Sequence, residues 1–209
     1  MNVLELKKLT YSYDNGKNIF KNLDFNFEKG KFYAIIGPSG TGKTTLLSLM
    51  AGLDEPNEGE ILFEGTNIKA KGYEHHRKHN VSIVFQNYNL IDYLTAYENI
   101  KIVNKNADKD LLKKLGLKED EINRNVLKLS GGQQQRVAFA RALASDSSII
   151  LADEPTGNLD SNTANEITEI LKSSAHNYGK CVIVVTHSKE LANSADVVLN
   201  LKDGKFRNT

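Results

Sequence analysis

The stretch Gly37-Pro38-Ser39-Gly40-Thr41-Gly42-Lys43-Thr44-Thr45 closes the apolar run Phe32-Tyr33-Ala34-Ile35-Ile36 and opens the run Leu46-Leu47-Ser48-Leu49-Met50. A chain that passes from a strand pattern through spaced glycines into a helical pattern is held to strand, phosphate loop (Walker A) and helix. The glycines let backbone N–H groups turn inward around phosphate oxygens. Lys43 then reaches the β- and γ-phosphates, and the Thr44 hydroxyl is placed to ligate Mg²⁺. The helix starting near Lys43 adds the positive end of its dipole. A plain glycine turn is the competing reading; the strand before and the helix after set it aside.

The other strand signals arrange themselves around this loop. Residues 3–13 and 23–27 show apolar and polar alternation joined by Asp14-Asn15-Gly16, an antiparallel hairpin pattern. Tyr11 and Tyr13 are cross-strand aromatics by default, and one of them is able to stack on a base. Gly59 to Gly65 reads as a short strand, and 66–80 as a polar link. The cluster His75-His76-Arg77-Lys78-His79 lacks the spacing and the carboxylate or thiolate partners of a metal site, so a solvated basic face is expected there. Val81 to Phe85 is a strand that delivers Gln86 to its end, where open α/β sheets bind ligands. From Asn87 to Ser145 helical patterns replace strands, apart from an apolar patch at Ile100 to Val103.

Two later stretches carry chemistry. In Ser130-Gly131-Gly132-Gln133-Gln134-Gln135-Arg136, Ser130 and Gln133 make a capping box. The paired glycines are not needed for a cap, and they favour a second phosphate-contacting backbone. The unbroken run Ser148 to Ala152 has the character of a parallel strand buried on both faces, yet it ends in Asp153-Glu154. Asp153 is suited to hold Mg²⁺ through water, and Glu154 to polarise a water attacking the γ-phosphate. A second buried run, Cys181 to Val185, delivers Thr186-His187. Between them lies an amphipathic helix from Ser161 to His176. A last short helix, the strand Val197 to Leu199 and the turn Asp203-Gly204 end the chain, with no extension expected.

Bulk properties narrow the class. At 209 residues and 40% hydrophobic, the chain supports one well-cored domain. Its 27 basic and 26 acidic residues provide no broad positive field, which excludes nucleic acid as the main ligand. The lone Cys181 permits no internal disulfide and suits a reducing compartment. No apolar stretch approaches the ~18 residues of a membrane span, and the N-terminus reads as a strand rather than a signal, so a membrane role is expected to come through a partner.

Together, and in this order, these motifs resemble the ATP-binding subunit of ATP-binding cassette (ABC) transporters across essentially the whole chain. The resemblance implies an α/β fold: a P-loop NTPase core of mostly parallel sheet, an antiparallel β subdomain and a helical signature subdomain. It implies a single nucleotide-binding domain over 1–209, with about 1–86 and 146–209 as RecA-like core plus β subdomain and about 87–145 as the helical part. By resemblance, Lys43, Gln86, Glu154 and His187 are catalytic. The phosphate loop, Tyr13, the signature Ser130 to Gln133 and the D-loop Asp160 hold nucleotide, and Thr44, Gln86 and Asp153 hold Mg²⁺. ATP and Mg²⁺ are thus the implied ligands.

Leu129 to Arg136 and Asp153 to Ser161 are similar to the bacterial branch of macrolide-export, lipoprotein-release, peptide-resistance and cell-division ATPases. That implies a second copy paired head to tail, a separate integral-membrane permease, and a position on the inner face of the cell membrane. A regulatory ATPase of the cell-division kind keeps the same catalytic residues and is the alternative. Two features depart from the family: a short stretch between Glu98 and Ser130, and Val126 where many relatives carry proline. A regulatory tail domain is not expected after Gly204.

Overall fold

An antiparallel sheet and a mostly parallel sheet share one hydrophobic seam. The computed structural model describes residues 1–13, 16, 18–157 and 159–208. In the first sheet, β1 (Asn2–Ser12) pairs with β2 (Asn18–Glu28), with Leu4 opposite Phe27 and Leu6 opposite Phe25. Of the expected hairpin turn, Asp14 and Asn15 lie outside the described residues. β4 (Glu58–Phe63) and β5 (Thr66–Asn67) complete the order β2-β1-β4-β5.

The second sheet has the order β10-β9-β3-β8-β7-β6. Its members are β3 (Phe32–Ile36), β6 (Val81–Val84), β7 (Ile149–Asp153), β8 (Cys181–Val185), β9 (Val197–Lys202) and β10 (Lys205–Asn208). All neighbours pair in parallel except the terminal β9–β10 hairpin. Side-chain alternation explains why these strands read as unbroken apolar runs. Ile149, Leu151, Cys181, Ile183 and Val185 face the seam with the antiparallel sheet. Ile150, Ala152, Val182 and Val184 face the opposite layer.

Helix α1 (Lys43–Met50) fills the seam with Leu46, Leu49 and Met50, all fully buried. The expected polar link at 66–80 contains β5 and a helix, α2 (Tyr73–His79). The solvated basic face expected there holds for only part of the cluster. Helical period turns His76 inward, 1% exposed, with its Nε2 3.0 Å from the Met50 carbonyl, while His75 and His79 stack outward at 4.6 Å.

The segment between Asn87 and Ser145 is helical: α3 (Ala96–Lys101), α4 (Lys109–Lys114), α5 (Glu119–Ile122), a 3₁₀ turn at Val126–Lys128, and α6 (Gly131–Ala144). The apolar patch at Ile100 to Val103 is therefore the end of α3 and not a strand. Helix α6 is buried on two sides. Ala138, Phe139 and Ala142 pack on the sheet, and Val137, Ala140 and Ala144 close a separate core with Ile100, Leu112 and Ile122. Helix α7 (Ser161–His176) covers the sheet beside α6 with Ile167 and Leu171, and α8 (Lys189–Asn193) adds Leu191. Among the described residues no helix is long and apolar enough to cross a membrane.

The consequence for function is geometric. β3, β8, β7 and β6 stand side by side and point the same way, so the segments that follow them open on one edge. Replacing Ile183, fully buried at the centre of β8, by alanine is expected to lower stability by about 2–5 kcal/mol, read from urea unfolding.

Candidate nucleotide site

The loop after β3 is pressed against two neighbours, which explains two of its glycines. Gly42 has φ 95°, and a Cβ there would lie 2.3 Å from Cγ2 of Ile19 on β2. A Cβ on Gly37 would lie 2.4 Å from the Leu201 carbonyl oxygen on β9. No side chain fits at either position. Thr41 donates to the Pro38 carbonyl at 2.9 Å. Lys43, only 6% exposed, folds back over the loop, and its Nζ donates to the carbonyls of Gly37 (2.9 Å) and Pro38 (3.1 Å). Burial pulls its pKa below the usual lysine value, against the opposing pull of Glu154 and Asp153. An ammonium in that position gains most from a dense negative charge.

Across the loop stands the end of β7. Burial raises the pKa of the Asp153 carboxyl, while a hydrogen bond from Thr44 and the charge of Lys43 pull it back. A half-buried carboxylate joined to an exposed hydroxyl is a donor set for a hard cation that keeps several waters, so Thr44 and Asp153 fit Mg²⁺. Among the described residues no group of three or more His, Cys, Asp or Glu is gathered elsewhere to hold a metal.

Glu154 leaves the strand in the left-handed region, φ 45°, a conformation that costs a non-glycine residue about 1–3 kcal/mol. Its N–H still bonds the Val185 carbonyl at 2.9 Å, and its Oε2 accepts from the His187 N–H (3.1 Å) and the Thr186 hydroxyl (3.3 Å). Its Oε1 is buried without a hydrogen-bond partner among the described residues, 3.6 Å from His187 Nε2. That nitrogen lies 3.4 Å from Lys43 Nζ, so the imidazole sits between the ammonium and the carboxylate. Gln86 follows β6 and turns its amide toward the Pro155–Gly157 turn, with Nε2 3.7 Å from where a Gly157 Cβ would be.

These groups line one cleft of about 760 Å³, from Tyr13 and Ile19 through Ser39, Gly40, Gly42, Lys43, Thr44 and Thr45 to Gln86, Asp153, Glu154 and His187. Tyr13, 45% exposed, stands at its mouth, with its hydroxyl 2.7 Å from the Thr45 hydroxyl and its ring edge-on to Tyr11. A larger hollow of about 900 Å³ lies on the antiparallel sheet around Lys8, Asp24 and Glu60, and it gathers no comparable chemistry.

The signature residues lie elsewhere. Ser130 caps α6 by accepting from the Gln133 N–H at 3.3 Å, and the Gln133 side chain returns the bond to the Ser130 N–H at 2.8 Å. Ser130, Gly131, Gly132 and Gln133 are not in the lining of the cleft. Their glycines also have an intramolecular reason. A Cβ on Gly131 would come within 3.0 Å of the Tyr88 hydroxyl, and one on Gly132 within 2.8 Å of Thr163 Cγ2. Asp160, also outside the lining, caps α7 through the N–H groups of Asn162 and Thr163 and the Thr163 hydroxyl.

Sequence reasoning missed Ile19, because the second strand was expected to begin at Leu23. It also missed the bond from Thr186 to Glu154, for which a threonine one residue before His187 was the only signal.

A family model described as ABC transporter matches residues 20–157. The chain is 44% identical to an uncharacterized ABC transporter ATP-binding protein, YclH of Bacillus subtilis (strain 168), over 99% of this chain and 96% of that protein. It is 42% identical to the macrolide export ATP-binding/permease protein MacB of Mannheimia succiniciproducens, over 99% of this chain and 34% of that protein. Among solved structures, the dimeric ABC transporter cassette MJ0796 superposes with a TM-score of 0.87 at 38% identity, covering 98% of this chain and 97% of the other. A dimeric post-hydrolysis state of that cassette, bound to ADP and Pi, superposes at 0.86 and 38% identity, with the same coverage.

Removing the ammonium tests the loop directly. Lys43→Ala is expected to weaken ATP binding roughly 10- to 100-fold, the value of a charge-assisted hydrogen bond, as measured by fluorescent-nucleotide titration.

Proposed function

The chain belongs to the ABC transporter family and is the ATP-binding, ATP-hydrolysing subunit of such a transporter, and from that premise we propose how it hydrolyses ATP and what it drives. Two identical copies pair head to tail with ATP between them, and the pair drives a separate membrane permease in export or extraction of a peptide, lipid-linked molecule or antimicrobial. The observation that carries the paired arrangement is the distance of the signature from its own cleft: Ser130 to Gln133 cap α6 outside the lining. A second copy related by a two-fold axis supplies that helix start to the first copy's nucleotide, and receives the same in return. The dimeric state of the similar cassette supports this reading. So does MacB, named as ATP-binding protein and permease in one.

The residues divide the work of in-line phosphoryl transfer. The loop N–H groups and Lys43 bind and orient the phosphates, and Lys43 exchanges the carbonyls of Gly37 and Pro38 for phosphate oxygens. Thr44 and Asp153 hold Mg²⁺, with Gln86 beside them; when bound, the ion neutralises charge that develops on the phosphate oxygens. Glu154, with Oε2 fixed by Thr186 and the His187 N–H, takes the proton of the attacking water on Oε1. His187 leaves its place between Lys43 and Glu154 and steadies the γ-phosphate. Tyr13 stacks on the base. ATP favours the closed pair and ADP does not, so turnover opens it. The division 1–86 with 146–209 against 87–145 assigns catalysis to the sheet and partner contact to the helices, on the inner face of the membrane.

Glu154→Gln is expected to lose about 10²- to 10⁴-fold in turnover while keeping ATP and accumulating as a dimer in gel filtration; full turnover sinks the base assignment. Ser130→Ala is expected to slow hydrolysis while the monomer still binds nucleotide, and loss of monomer binding contradicts the paired arrangement. Co-purification of tagged Glu154→Gln protein from its native membranes identifies the partner. An export-type permease supports the transport reading, and a division-type partner replaces it.

A further inference from the structure

Three non-glycine residues near the cleft hold left-handed backbone: Tyr88 (φ 58°), Asn89 (φ 47°) and Glu154 (φ 45°). Each such residue costs free energy and persists only where its surroundings over-determine it. Local backbone bonds close each turn, Tyr88 N–H to the Phe85 carbonyl and Gly157 N–H to the Glu154 carbonyl, both at 3.1 Å, and one helix adds restraint from outside to both. On α6, Arg141 donates to the carbonyls of Tyr88 (3.2 Å) and Asn89 (2.7 Å), two and three residues after Gln86. Six residues earlier on α6, Gln135 donates from Nε2 to the carbonyl of Pro155 at 2.9 Å, the residue that follows Glu154.

The two restrained segments also meet each other, since the Gln86 amide lies against the Pro155–Gly157 turn. A closed circuit results: α6, the Pro155 turn, the Gln86 loop, and α6 again. The Tyr88 hydroxyl lies over Gly131 at the helix start, 3.0 Å from where a Cβ there would be.

Gln135 is costly in this place. It is 1% exposed, and its Oε1 is buried with no hydrogen-bond partner among the described residues. An apolar side chain of the same length would avoid that orphaned oxygen but would leave the Pro155 carbonyl without this donor, so what the amide secures is the position of that carbonyl. Arg141 has likewise lost hydration, which lowers its pKa, and it faces backbone carbonyls in place of a carboxylate.

We propose that Gln135 and Arg141 are positioning residues for ATP hydrolysis, holding from a single helix the strained backbone that carries Gln86 and Glu154. The inference rests on the roles given above to Gln86 and Glu154. It makes α6 the rigid member through which a contact at the Gly131-Gly132 end changes the geometry of the hydrolytic groups of its own chain.

The test is steady-state Mg-ATP hydrolysis by the full chain, with KM, kcat and melting temperature measured together. Gln135→Met and Arg141→Met are each expected to lower kcat about 10- to 100-fold, the effect of displacing catalytic groups by about 1 Å, with KM for ATP within about twofold. Gln135→Met is expected to melt close to the parent chain, because it removes the orphaned Oε1 and in exchange takes the donor from the Pro155 carbonyl. Arg141→Lys, which retains a donor for one carbonyl, is expected to recover much of the loss. Glu154→Gln runs alongside. If it is inactive while the methionine variants keep the parental kcat, or if kcat falls only in step with folded fraction, the positioning role is overturned by itself. If Glu154→Gln keeps full turnover, the base assignment and this inference fall together.

Discussion

The in-register parallel pairing of β3, β8, β7 and β6 is the constraint on which the rest depends. Ile35 pairs with Val185, Val185 with Asp153, and Ala152 with Val84, so four chain segments leave the sheet side by side along one edge, each about 4.8 Å from its neighbour. Those segments bring Lys43, His187, Glu154 and Gln86 together from positions up to 144 residues apart. A slip of one residue in any pairing would exchange the two faces of that strand. It would also carry its terminal side chain out of the cleft.

Holding reactive groups at the end of a buried sheet has a cost, and the structure shows where it is met. Asp153 and Lys43 are both desolvated, in directions that oppose their charged forms. Glu154 is strained in its backbone and leaves one carboxylate oxygen without a hydrogen-bond partner among the described residues. Other left-handed non-glycine residues, such as Glu64 and Asp203, lie in tight turns of hairpins, where reversal of the chain is the reason. Tyr88, Asn89 and Glu154 lie in turns as well, closed by Tyr88 N–H to Phe85, Asn89 N–H to Asn87 and Gly157 N–H to Glu154, and theirs are the turns whose carbonyls α6 also captures.

Much of this was legible because parallel strands buried on both faces leave a mark that few other elements leave. Ile149 to Ala152 and Cys181 to Val185 carry no polar residue, and each is followed at once by chemistry. What escaped reading depended on contacts distant in sequence. His76 is one of three histidines in five residues, and only the docking of α2 on Met50 separates it from its solvated neighbours. Gly131 and Gly132 read as bare backbone for an anion. Tyr88 and Thr163, which also require them bare, lie 43 and 31 residues away.

The sequence by itself determined the buried strands β3, β6, β7 and β8, the phosphate loop, the two acids after β7, and the histidine after β8, while β5 and α2 stood in a stretch read as a polar link. These follow from local pattern: glycine spacing, apolar runs and caps act over a few residues. Tertiary structure alone decided that His187 sits between Lys43 and Glu154, that the signature lies outside its own cleft, and that Gln135 and Arg141 hold the two strained loops. The first depends on the pairing of β3, β8 and β7 and the others on how α6 packs against the sheet, and packing between distant segments leaves no periodicity in the chain to read.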